Sequence, residues 1–221
     1  NDLLSGENSL MRAFVGDITD VTSPEGFLNS QLFFLLIPLL FLGFAITQGS
    51  GTIAGEEEKG TLELLMSCPI TRQQVLVQKW AAMLVTIIVL AVATWIGLVV
   101  GVVGIDMDIS LLKVAEGTLS ASLLGMAFGT LALTLGSATG RRAYSIAIAS
   151  VIGITSYLIN ALTPAVELLE AARFISPFHY YIGSDPITNG LHLGHSGVLL
   201  LLAIVLYVLA KVAFKKRDLG V

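Results

Sequence analysis

The chain has 221 residues, of which 55% are hydrophobic and only 13% charged, with a formal charge of −4; soluble domains carry roughly a quarter charged residues. Residues 26–55, 80–105, 117–140, 143–166 and 186–210 contain no Asp, Glu, Lys or Arg, and each stretch is 24 to 30 residues long. Because a bilayer-crossing helix needs about 20 apolar residues, this composition excludes a soluble domain and a single-span anchored enzyme.

The fold class expected is all-α: a polytopic membrane protein in one transmembrane domain, with spans at about 27–48, 80–104, 117–138, 143–163 and 197–214. A β-barrel would alternate apolar and polar residues, and the run from Leu32 to Ile37 is apolar on both parities. The polar segment 1–25 holds five acidic residues against Arg12 and does not resemble a signal peptide. It is expected outside the membrane, which implies either one more span upstream, making six, or a cleaved signal.

In the first span, Pro38 predicts a kink, tolerated where neighbouring groups satisfy the freed carbonyl. The small, polar run Thr47 to Thr52 predicts close packing or an exit from the hydrocarbon. The second span is expected to begin at Trp80 as an interfacial anchor. The third holds Gly125-x-x-x-Gly129 among many small residues; internal packing explains such a pattern, and a dimer contact could also use it. Asn160 in the fourth span is expected to hydrogen-bond to another helix or to water. Thr163-Pro164 reads as the capped start of a short amphipathic helix through Ala172, within an outer interfacial segment 164–196 that includes Phe174, Phe178, Tyr180 and Tyr181.

Nine of the twelve basic residues fall on one side of this arrangement, in 56–79, at Arg141-Arg142 and from Lys211 onward, while eleven of the sixteen acidic residues fall on the other. Basic residues mark the cytoplasmic face, so the N-terminal segment is expected outside and the C-terminus inside. Cys68 is the only cysteine, which rules out an internal disulfide. Residues 55–61 lack the lysine of a phosphate-binding loop and carry three carboxylates in its place. His192-x-x-His195 reads as a loop pair, since Gly190 and Gly194 oppose a helix there. Catalytic, metal and cofactor residues are therefore expected to be absent.

The informative segment is the cytoplasmic hairpin 53–79. Within it Thr61 to Ser67 can form a short helix with Leu62, Leu65 and Met66 at i, i+3 and i+4 and Glu63 elsewhere. Pro69 ends that helix, and Thr71-x-x-Gln74 forms a capping box for the next. Glu56-Glu57-Glu58 would be repelled by an anionic inner leaflet and attracted to a basic protein, which points to a protein-docking element.

From Gly55 to Arg72, Gly-Glu-Glu-Glu-Lys-Gly-Thr-Leu-Glu-Leu-Leu-Met-Ser-Cys-Pro-Ile-Thr-Arg resembles the coupling segment of membrane subunits of ABC transporters of the type-2 exporter (ABC-2) superfamily. The span pattern and the basic ending at Phe214-Lys-Lys-Arg are similar to that family too, although Cys68 stands where it often has an apolar residue. The resemblance implies six helices per half, two halves as a homodimer or with a paralogue, and a separate cytoplasmic ATPase holding ATP and Mg. It implies coupling residues Glu56, Glu57, Glu58, Gly60, Thr61 and Glu63, to which the helix reading adds Leu62, Leu65 and Met66. The expected function is the permease of an ATP-driven exporter in the cell membrane, moving a hydrophobic or amphiphilic molecule such as a drug, an antibiotic or a lipid. The competing reading is a membrane scaffold or receptor that recruits a partner through the hairpin without transport. Nucleic acid is not an expected partner.

Overall fold

A computed structural model describes residues 29–67, 69–107, 109–163, 166, 169–183 and 190–217. The expectations for segment 1–25, Cys68, Pro164 and most of the helix from 164 to 172 lie outside those residues. A π-helical stretch, Asn29–Leu36, runs into α1 (Ile37–Thr52). The hairpin follows as α2 (Ala54–Glu58) and α3 (Thr61–Met66), and α4 (Arg72–Gly104) then returns through the membrane. Next come α5 (Leu111–Thr139), α6 (Arg142–Leu162), the short α7 (Glu170–Arg173) and α8 (Pro177–Ile182), and α9 (Leu193–Lys216). Five helices are long and apolar enough to cross a membrane, and no strand occurs among the described residues.

The bundle is built around α5, which packs against all four other long helices. Its most apolar window is 67% buried, against 11% for α4, so α5 is the axis and α4 a peripheral wall. In lipid there is no hydrophobic drive between helices, and close packing needs small residues. The seam between α5 and α1 supplies them: a Cβ on Gly125 would sit 3.1 Å from Phe41 Cβ, and one on Gly129 would sit 3.1 Å from Ala45 Cβ. At Gly49 an added Cβ would strike the Gly129 carbonyl. The small residues of the third span are thus used inside one chain, and a dimer contact through that stripe is ruled out by its burial.

The carbonyl that Pro38 leaves free has a specific partner. In a π-helical register the Phe33 carbonyl looks five residues on, to Pro38, which has no N–H. The buried Tyr181 hydroxyl on α8 donates to that carbonyl at 2.7 Å. Ser176 ties the same short helix to α6 by donating to the Ser156 carbonyl at 2.8 Å. The expected interfacial aromatics therefore divide: Phe178 and Tyr181 are core, while Phe174 remains 64% exposed.

Three further residues bear on the expectations. Thr163 keeps a helical backbone and its hydroxyl donates back to the Ile159 carbonyl, while most of the helix expected after it lies outside the described residues. Asn160 is buried, and its Oδ1 has no hydrogen-bond partner among the described residues. Trp80 lies two turns inside α4 and turns inward, where it stacks on Tyr207 at 4.5 Å and donates to Thr130 Oγ1 at 3.1 Å.

Gly194 does not prevent a helix, because His192 accepts from the His195 N–H and caps α9. His179 joins this pair, its ring 5.6 Å from that of His195. Desolvation, reinforced by Arg173 and His195, holds His179 below the ordinary histidine range. Among the described residues no group of His, Cys, Asp or Glu is placed to hold a metal ion.

The seam gives a test in which sign matters. Gly49→Ala should destabilise the protein by on the order of 1–3 kcal/mol through overpacking. Gly43, with nothing within 4 Å of an added Cβ, should instead tolerate alanine or gain about 0.5–1 kcal/mol. Thermal unfolding in detergent measures both.

Candidate functional site

The hairpin is shaped by two local devices. Gly60 adopts φ 70°, a left-handed conformation that closes α2 and starts α3 in a different direction, and its N–H donates to the Glu57 carbonyl at 3.0 Å. The Thr61 hydroxyl donates to the Glu56 carbonyl at 3.1 Å, which holds the two short helices together. At the far end the capping box forms, with Thr71 Oγ1 accepting from the Gln74 N–H and Gln74 accepting from the Thr71 N–H. α4 therefore begins at Arg72 and runs without a break into the second span.

Three consecutive carboxylates then fix the hairpin to three different helices. Glu56 pairs with Lys79 on α4, and Glu57 pairs with Arg217 just past α9. Glu58 accepts from the Arg142 N–H at 2.8 Å and so caps the start of α6, where a negative charge complements the helix dipole. Arg72 adds a link by donating to the Arg217 carbonyl at 2.8 Å. Isolated surface ion pairs are worth about 0–1 kcal/mol; these are partly buried and grouped, and their combined effect is to lock the position of α2.

Within the chain, Glu56, Glu57 and Glu58 are engaged by Lys79, Arg217 and the Arg142 main-chain N–H, and Glu58 remains exposed. Leu62 is 2% exposed and packs with Ile53, Val75, Leu76 and Phe214. The apolar stripe Leu62, Leu65 and Met66 faces the bundle, with Leu65 and Met66 half-buried. The surface side of α3 instead carries Thr61, Glu63 and Leu64, and Leu64 is 70% exposed.

Lys79, Arg142 and Arg217 were legible only as part of a basic face; their pairing with the acidic triplet was not. A run of three acids on the side richest in cations was the available signal. Leu64 escaped notice because it lies off the i, i+3, i+4 stripe, and an outward residue lies off that stripe when the stripe packs inward.

Between α1, α2, α4 and the start of α6 the basic end of the bundle opens into a groove of about 630 Å³. Its walls include Phe44, Gln48 and Thr52 of α1, Lys79, Met83 and Thr86 of α4, and Arg142, with Glu56 and Lys59 at the hairpin.

Two leucines two residues apart should behave in opposite ways. Leu62→Ala opens a cavity and should cost about 2–3 kcal/mol, whereas Leu64→Ala should change stability by less than about 0.5 kcal/mol. Denaturant titration of the detergent-solubilised protein separates them.

No curated protein matches the chain. A family model described as an ABC-2 family transporter protein matches residues 4–219, almost the full length. With five apolar helices and a hairpin fixed at their basic end, the chain belongs to the ABC-2 family of transporter membrane proteins.

Proposed function

We propose that the chain is the permease subunit of an ATP-driven exporter, working with a separate cytoplasmic ATPase and a second permease half. Family membership supports a permease component of an ABC transporter. The observation that carries the finer reading is the hairpin. It sits at the basic end of the bundle, which the positive-inside rule assigns to the cytoplasm, and it is tied to α4, α6 and α9 by Glu56, Glu57 and Glu58. A push on α3 from below would be passed to three membrane helices at once.

In this reading Leu64 is the apolar anchor that enters a groove on the ATPase, with Glu63 and Thr61 at its rim. Glu56 to Glu58 serve as the internal linkage, and Leu62, Leu65 and Met66 seat the helix on the bundle. The middle of each span contains no Asp, Glu, Lys or Arg, which favours a hydrophobic or amphiphilic substrate over a small ion. The outward faces of α4, α6 and α9, with exposed Val85, Ile88, Val151 and Leu201, supply apolar surface for lipid and for a second half.

Co-purification of an ATPase with the full-length chain tests the assignment. Leu64→Ala should weaken association about tenfold or more, as truncation of an interface anchor does, while leaving the unfolding profile unchanged. Wild-type affinity in a Leu64→Ala, Glu63→Ala double variant would show that α3 is only a connecting turn.

A further inference from the structure

The groove at the basic end has a chemistry that the permease reading does not use. Arg142, Lys59 and Lys79 line it together with a single carboxylate, Glu56. Lys79 is neutralised by Glu56. The Arg142 guanidinium has no ion pair among the described residues, and its Nε is buried without a hydrogen-bond partner. The side chain lies against Gly51 and Gly55, within ordinary contact distance: a Cβ on Gly55 would stand 3.4 Å from Arg142 Cδ, and one on Gly51 would stand 3.9 Å from its terminal nitrogen. Glu58 is close by, but it accepts from the Arg142 main-chain N–H. A buried guanidinium N–H without an acceptor is costly, and a phosphate or carboxylate is the group its donor fork best fits.

The rest of the groove wall is mixed, with Phe44, Ala82 and Met83 beside Thr47, Gln48, Thr52 and Thr86. Beyond its membrane-facing end, one turn past Phe44 on α1 and one turn past Thr86 on α4, Leu40 and Val89 are 49% and 62% exposed. From Thr52 to Leu40 a helix rises roughly 18 Å, about the depth of one leaflet. We propose that this groove binds an amphiphile with an anionic headgroup, the phosphate or carboxylate held by Arg142 and Lys59 and the acyl tail lying along Leu40 and Val89.

The inference rests on the permease reading only for its meaning, since it would make an anionic amphiphile the substrate class and the groove its point of entry from the inner leaflet. Binding itself needs no ATPase. Loss of ATPase association would therefore sink the permease reading and leave the groove untouched.

The test uses the purified full-length chain in neutral detergent with dioleoylphosphatidylglycerol as the probe, dioleoylphosphatidylcholine as the uncharged-surface control and glycerol 3-phosphate as the headgroup alone. Saturable binding of phosphatidylglycerol at least about tenfold tighter than of phosphatidylcholine is expected, falling about tenfold in Arg142→Gln and less in Lys59→Gln. Arg142→Gln keeps the main-chain N–H that Glu58 accepts from. Lys59 is exposed and tests the same charge if the first variant unfolds. Equal binding of the two lipids, or binding unchanged in both variants, would overturn the site. Glycerol 3-phosphate binding as tightly as phosphatidylglycerol would overturn the role of the tail and leave a soluble anion as the ligand.

Discussion

Three carboxylates in a row at the end of a membrane helix are a liability unless each finds a positive partner, and the rest of this structure follows from how they find them. Glu56, Glu57 and Glu58 stand at successive angles around one short helix, so no single neighbour can serve all three. They reach Lys79 on α4, Arg217 beyond α9 and the main chain of Arg142 on α6. Elements far apart in sequence are gathered around α2 by this one constraint. In the proposed permease the same arrangement is the mechanical link, because α2 cannot tilt without loading three helices.

A link of this kind works only against a bundle that resists deformation. The seam between α1 and α5 provides that resistance, since helices in contact at Gly49 and Gly129 have no side chains to rearrange between them. Polar contacts across the bundle add to it. Thr134 donates to the Leu206 carbonyl at 2.9 Å, and Tyr181 occupies the carbonyl that Pro38 leaves open. In the proposed permease, force delivered at the basic end would be passed on by these rigid elements, and α4 is the long helix least buried within one chain.

The sequence made the spans, the capping box at Thr71 and Gln74, and the consequence of Pro38 legible, because length, capping chemistry and a missing N–H are local properties. The inward or outward sense of a six-residue helix is not local. Leu62, Leu65 and Met66 form a stripe in either orientation, and only the presence of Val75, Leu76 and Phe214 on one side decides that Leu62 is buried. Trp80 was misplaced for a related reason: tryptophan beside lysine commonly marks an interface, but Tyr207 and Thr130 offer it a stack and an acceptor inside the bundle. The groove could not be foreseen, since its cations come from three separate segments whose convergence is a tertiary fact.

The account stands or falls on whether the link between the hairpin and the last span is electrostatic and specific. Substrate-stimulated ATP hydrolysis should be measured in the ATPase-bound complex for Glu57→Arg, Arg217→Glu and the variant carrying both changes. Each single reversal places like charges together and should uncouple hydrolysis from substrate, while the exchanged pair should recover to within about twofold of the original. An exchanged pair as defective as Glu57→Arg alone would contradict the account, because Glu57 would then be acting on something other than Arg217.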